Sequence, residues 1–76
     1  MLERVPLEWA MSTGRLGVAQ MVLAGRTGDA RVAKAALTQI ELALATAREG
    51  GDAPLTEYLE PQLPKARALV ERLNKR

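Results

Sequence analysis

The chain has 76 residues, 47% of them hydrophobic, with one Trp, one Tyr, no Phe and a net charge of +2. That length allows one domain at most, and so short a chain buries only about 60% of its unfolded surface, which leaves its stability marginal without help. The absence of Cys removes disulfides, thiolates and Cys-based metal sites, and the absence of His removes the commonest general base and metal ligand. The mild, mixed charge makes no demand for nucleic acid or an anionic membrane. No run approaches the roughly 18 apolar residues of a membrane span, and no basic-then-apolar signal peptide opens the chain, so it reads as a soluble cytoplasmic protein. With so few aromatics its core must be Leu, Ala, Val and Met, which suits helical layers better than packed strands.

The opening MLERV reads as the tail of a preceding helix, and Pro6 suits the first turn of the next one. A first helix is predicted over 6–25, with Glu8 near its positive N-terminal end and Gly25 as its stop. Stepped at about 100° per residue, Leu7, Met11, Val18, Met21 and Val22 share one stripe, with Gly14 and Gly25 beside them. Trp9, Leu16 and Leu23 fall on the far side, seven residues apart each time. A helix that is apolar on two sides must be covered on two sides. The GRTGD turn then supplies Asp29 as N-cap of a second helix over 30–49, rich in the best helix formers. Its apolar face collects Ala33, Ala36, Leu37, Ile40, Ala43, Leu44 and Ala47, with Leu42 alone on the back. Gly50-Gly51 ends it. Asp52 and Pro54 restart a third segment over 53–74, in which Leu55, Leu59, Leu63, Ala66, Leu69, Val70 and Leu73 line one face. Pro61 and Pro64 interrupt that segment while its stripe keeps its phase, which predicts a kink between Glu60 and Pro64 rather than a loop. The prediction is an all-α domain over 1–76, three helices in up-down-up order. Gly14 and Gly17 opposite Ala36 and Ala43 would let the first pair approach closely.

Two stretches resemble each other, VPLEWAM from Val5 and APLTEYL from Ala53, each opening a helix. The blocks PLEWAMSTGRLGVAQ (Pro6 to Gln20), GRTGDA (Gly25 to Ala30) and AALTQIELAL (Ala35 to Leu44) resemble the C-terminal end of a bacterial long-repeat tetratricopeptide array. Leu16-Gly17 match the family's Leu-Gly, and Ala36, Ile40 and Ala43 match its small-large-small spacing on the second helix. The resemblance implies one tetratricopeptide-like helix pair followed by a capping helix, kinked near Pro61-Pro64, whose outer side is charged as a terminal cap needs. In that family first-helix side chains line a groove that holds peptides. Here Gly14 and Val18 cannot supply the hydrogen bonds that the family's asparagines offer at those positions, and a basic clamp is absent there too. Met1 stands just before the point where a preceding repeat's second helix would end, which would leave the first helix's stacking face without its neighbour.

Catalysis has little to stand on. Asp29 and Asp52 are better explained as caps, Ser12 and Thr13 have no base nearby in sequence, and GRTGD lacks the Gly-Lys-Ser/Thr of a phosphate loop. The chain is therefore read as no enzyme, with no catalytic or metal residues, no cofactor and no small-molecule substrate. The expected function is protein–protein interaction or assembly through an apolar face of the first helix, formed by Trp9, Leu16 and Leu23 with Ser12 and Gln20 on its margin. The partner is a protein, either a different one or a second copy. Full burial of the three large side chains would contribute about 5–8 kcal/mol gross. Three other readings stay open: the third helix folds over this stripe and makes it core, the chain is the inert end of a longer scaffold, or it is a small basic protein associated with nucleic acid. Against the last, Arg15, Arg26, Arg31 and Lys34 are interspersed with acids and read as solvated surface, as do Lys65, Arg72 and Arg76. The residues predicted to pack within the fold are Leu7, Met11, Val18, Val22, Ala36, Ile40, Leu44 and Leu69.

Overall fold

In a computed structural model of the chain the described residues are 4–75, with side chains described from Leu7 onward. Every regular element among them is an α-helix: α1 Arg4–Thr27, α2 Ala30–Glu49, α3 Ala53–Leu59 and α4 Gln62–Asn74. The last two form one bent third helix, so the fold is the expected up-down-up arrangement. It is a thin body, 44 × 18 × 14 Å.

Local chemistry sets the helix ends. The Asp29 carboxylate accepts from the backbone N–H of Arg31 (2.9 Å) and Val32 (3.3 Å), satisfying two donors that the first turn of α2 leaves open. Asp52 does the same for α3, accepting from Leu55 N–H at 3.1 Å. Gly50 caps α2, and Gly51 follows with φ of 70°, a left-handed turn that suits glycine. Glu60 and Pro61 both keep helical dihedrals, and Leu63 N–H bonds back to the Glu60 carbonyl at 3.3 Å. The prolines therefore bend the helix at 60–61 without breaking its direction. Pro64 falls in the first turn of α4, where a missing N–H costs nothing.

The limits of α1 differ from the expected ones at both ends. It passes through Gly25 and stops at Gly28, whose φ is 75° and whose N–H bonds to the Ala24 carbonyl at 2.8 Å. With Asp29 already committed to capping α2, Gly28 is the residue left to reverse the chain. At the other end Arg4 and Val5 belong to α1 itself rather than to a preceding helix, and Glu8 consequently lies beyond the first turn. Residues 1–3, on which the expected helix tail also rests, lie outside the described residues.

The core is built from small residues on α1. Ala10, Gly14, Gly17 and Ala24 are buried against Ala33, Ala36, Ile40, Ala43 and Ala47 of α2. A Cβ added at Gly17 would stand 2.9 Å from Ile40 Cγ1 and 3.2 Å from the Ala36 carbonyl oxygen, so the predicted close approach of the two helices is real. The third helix lies along one side of this pair. Leu55 and Leu59 join Ala10, Ala43, Leu44 and Ala47 at one end, and Leu69 and Leu73 join Ala24 and Ala33 at the other. Ion pairs Arg48–Glu60 (2.8 Å) and Arg67–Glu41 (3.8 Å) run from α2 to the same helix, both exposed and worth little each.

Two residues predicted to pack inside do not. Met11 and Val22 are exposed, 42% and 51%. The buried face of α1 lies about 80° around the axis from the stripe of large apolar residues, counted at 100° per residue. Close packing on α2 selects the small side chains, and the third helix leans on α2 more than on α1. Met11 and Val22 are left at the mouths of two shallow grooves. One is lined by Arg15, Pro54, Leu55 and Tyr58, the other by Met21, Lys65, Ala68 and Leu69. Leu7 and Val18, also predicted inside, are half-buried, Leu7 over Gly50 and Val18 against the cluster that contains Ala10, Leu44, Leu55 and Leu59.

Candidate interaction face

The far side of α1 from the third helix carries the candidate residues. Trp9, Leu16 and Leu23 are 44%, 53% and 52% exposed. The third helix occupies the opposite flank and does not fold over them, so they are not part of the core. Large apolar side chains are thus set seven residues apart on one line, each about half uncovered. Covering the remaining halves would contribute on the order of 2.5–4 kcal/mol per copy, about half of the full-burial figure for such side chains.

The margin of the face differs from the sequence reading in detail. Ser12 is exposed on the line between Trp9 and Leu16. Gln20 is half-buried, its carbonyl oxygen accepting from Gln39 Nε2 of α2 at 2.9 Å. It braces the two helices together and so fixes the floor beside the stripe. Gln39 Oε1 is buried with no hydrogen-bond partner among the described residues.

Sequence reading missed three members. Leu42, seen only as a lone apolar residue, is 51% exposed. It stands one turn along α2 from Gln39, as Leu16 stands one turn from Gln20, so the Gln20–Gln39 bond puts both leucines on the same side of the helix pair. Ala19 and Arg26 are also exposed and continue the line of Trp9, Ser12, Leu16 and Leu23 at alternating spacings of three and four residues. That spacing was available as a signal: it is the a/d seam of a heptad. The six residues give the face adhesion and one cation rather than any nucleophile-and-base pair. No group of three His, Cys, Asp or Glu side chains gathers anywhere among the described residues, and no helix among them is long and apolar enough to cross a membrane.

The fold and this face define a small all-α protein with an uncovered helical seam. No protein-family model, curated protein or solved structure matches the chain.

Proposed function

We propose that this protein is a non-enzymatic assembly module, a tetratricopeptide-like helix pair with a capping helix, which engages a protein partner through Trp9, Leu16 and Leu23 of α1. One observation carries the reading: these three side chains stay about half exposed on a single line while the third helix lies on the other flank. The close α1–α2 packing through Gly14 and Gly17 supports the helix-pair part, as do the PLEWAM and GRTGD blocks. Counted on both sides of the contact, the gross gain is at most about 8 kcal/mol. Set against association costs of at least about 4 kcal/mol it leaves at most about 4 kcal/mol, so these side chains alone support binding no tighter than about millimolar.

Leu16→Asp tests it. The helical signal and the thermal midpoint of the dilute protein should change little, because residue 16 contributes little to the core. Association seen by light scattering across a hundredfold concentration range should be lost. Trp9, the sole tryptophan, reports the same event through its emission, blue-shifted when the stripe is covered and red when it is free. Loss of helicity in the dilute Leu16→Asp protein would sink the proposal, since it would make the stripe part of the fold.

A further inference from the structure

The proposed function leaves open what lies on the seam, and the residues along it restrict the answer. In chain order they run Trp9, Ser12, Leu16, Ala19, Leu23, Arg26, large and small in alternation until the terminal cation. All six are exposed. A heptad seam takes another helix as its occupant, because knobs from one helix seat in holes of the other. A seam that alternates large with small can fill its own gaps when a second copy runs antiparallel.

We infer that the occupant is a second copy of this chain, packed α1 against α1 in antiparallel orientation about a two-fold axis. The inference rests on the reading of this face as an interaction surface. A single register places Leu16 over Ala19 of the second copy and Leu23 over Ser12 of the second copy. The same register brings Arg26 of the second copy onto the Trp9 ring, with Glu8 beside it. A guanidinium is attracted to both the face of an indole and a carboxylate. The two-fold axis makes each of these contacts twice. The parallel alternative stacks Arg26 on Arg26 and Trp9 on Trp9, so it sets like charges together and leaves the small positions facing one another as voids. A contact of one helix on one helix, widened at its rim by Leu42, is small beside the roughly 1,200–2,000 Å² that stable, specific interfaces bury, so the dimer is concentration-dependent.

Orientation is measured with a nitroxide attached through Thr27→Cys, the only thiol in that variant, at the edge of the seam one residue beyond Arg26. In the antiparallel dimer Thr27 lies level with Glu8 of the second copy, which separates the two labelled backbones by about 28 Å at 1.5 Å per residue. In a parallel dimer the same positions are neighbours, about 10 Å apart. Charge exchange gives an independent reading. Arg26→Glu alone should weaken the dimer about threefold to tenfold, and adding Glu8→Arg should restore it to near the original value. Both substitutions are on the exposed side of α1, so they read the orientation without altering Leu16.

The expected result is a dimer abolished by Leu16→Asp, a label separation near the longer distance, and rescue by the charge exchange. A label separation near the shorter distance overturns the antiparallel arrangement while leaving the face as the interface. A monomer at every concentration overturns the second copy as occupant and leaves only a different protein for the face. A dimer indifferent to Leu16→Asp overturns both this inference and the reading of the face.

Discussion

Adding one methyl group at each of three glycines in α1 should have three different consequences. A mid-helix Gly→Ala change gains about 0.5–1 kcal/mol from backbone entropy wherever the site accepts a Cβ. At Gly25 nothing lies within 4 Å of the added atom, so the whole gain should appear. At Gly17 the added Cβ meets Ile40 Cγ1 at 2.9 Å, the Ala36 carbonyl oxygen at 3.2 Å and Gln39 Cβ at 3.3 Å. A carbonyl oxygen in the middle of α2 cannot step aside without moving the helix, and overpacking of this kind costs about 1–3 kcal/mol. The net loss at Gly17 is therefore about 1–2 kcal/mol. Gly14 lies between the two, because its nearest neighbours at 2.9 and 3.2 Å are the terminal methyls of Leu59, which can turn. In a domain of this size 1 kcal/mol moves the thermal midpoint by about 4–8 °C. Circular dichroism melts at one fixed protein concentration should place Gly25→Ala several degrees above the parent, Gly14→Ala close to it, and Gly17→Ala about 5–10 °C below. Equal midpoints for Gly17→Ala and Gly25→Ala would refute the close-packed α1–α2 seam.

The remaining predictions concern helix ends and surface charge. Asp29→Ala removes the acceptor for Arg31 and Val32 N–H and should cost about 1 kcal/mol, and Asp52→Ala, with one such bond, the same or less. Urea titration reads both, and Asp29→Asn should recover most of the loss. Glu60→Gln removes the exposed Arg48–Glu60 pair and should cost no more than about 0.5 kcal/mol, vanishing in 1 M salt. A larger, salt-independent loss in the same titration would mean that the pair braces the bend at 60–61.

The parts of the fold that follow from local rules were legible in the chain. Asp29 and Asp52 announce caps by position, and Pro61 with an unbroken Leu stripe announces a bend. Gly50-Gly51 announces an end. The orientation of α1 was not legible by the same means, because hydrophobic periodicity weighs residues by size and polarity. Met11, Val18 and Val22 dominate such a count, whereas Ala10, Gly14, Gly17 and Ala24 contribute almost nothing to it and yet form the buried face. Gly25 and Gly28 are equivalent as isolated stop signals. What distinguishes them is that Asp29 must cap α2 at once, which makes the adjacent glycine the turning point. The exposed line of Trp9, Leu16 and Leu23 was legible from its seven-residue spacing, whereas Leu42 joined it only through the tertiary placement of Gln20 and Gln39.

The two faces of α1 are consequences of one allocation of residues. Putting Ala and Gly between α1 and α2 lets the backbones close up, but each small side chain buries little apolar area, and the free energy gained per residue is correspondingly modest. The large apolar side chains of α1 are thereby left for the outside, about half covered on one flank at Trp9, Leu16 and Leu23 and on the other at Met11 and Val22. Exchanging them inward would force the helices apart and open voids where Gly14 and Gly17 now meet Leu59 and Ile40. In so short a chain, with its thin core, the apolar surface withheld from the fold is the surface available for assembly. Covering Trp9, Leu16 and Leu23 would therefore contribute to the stability of the chain and to its association in the same step.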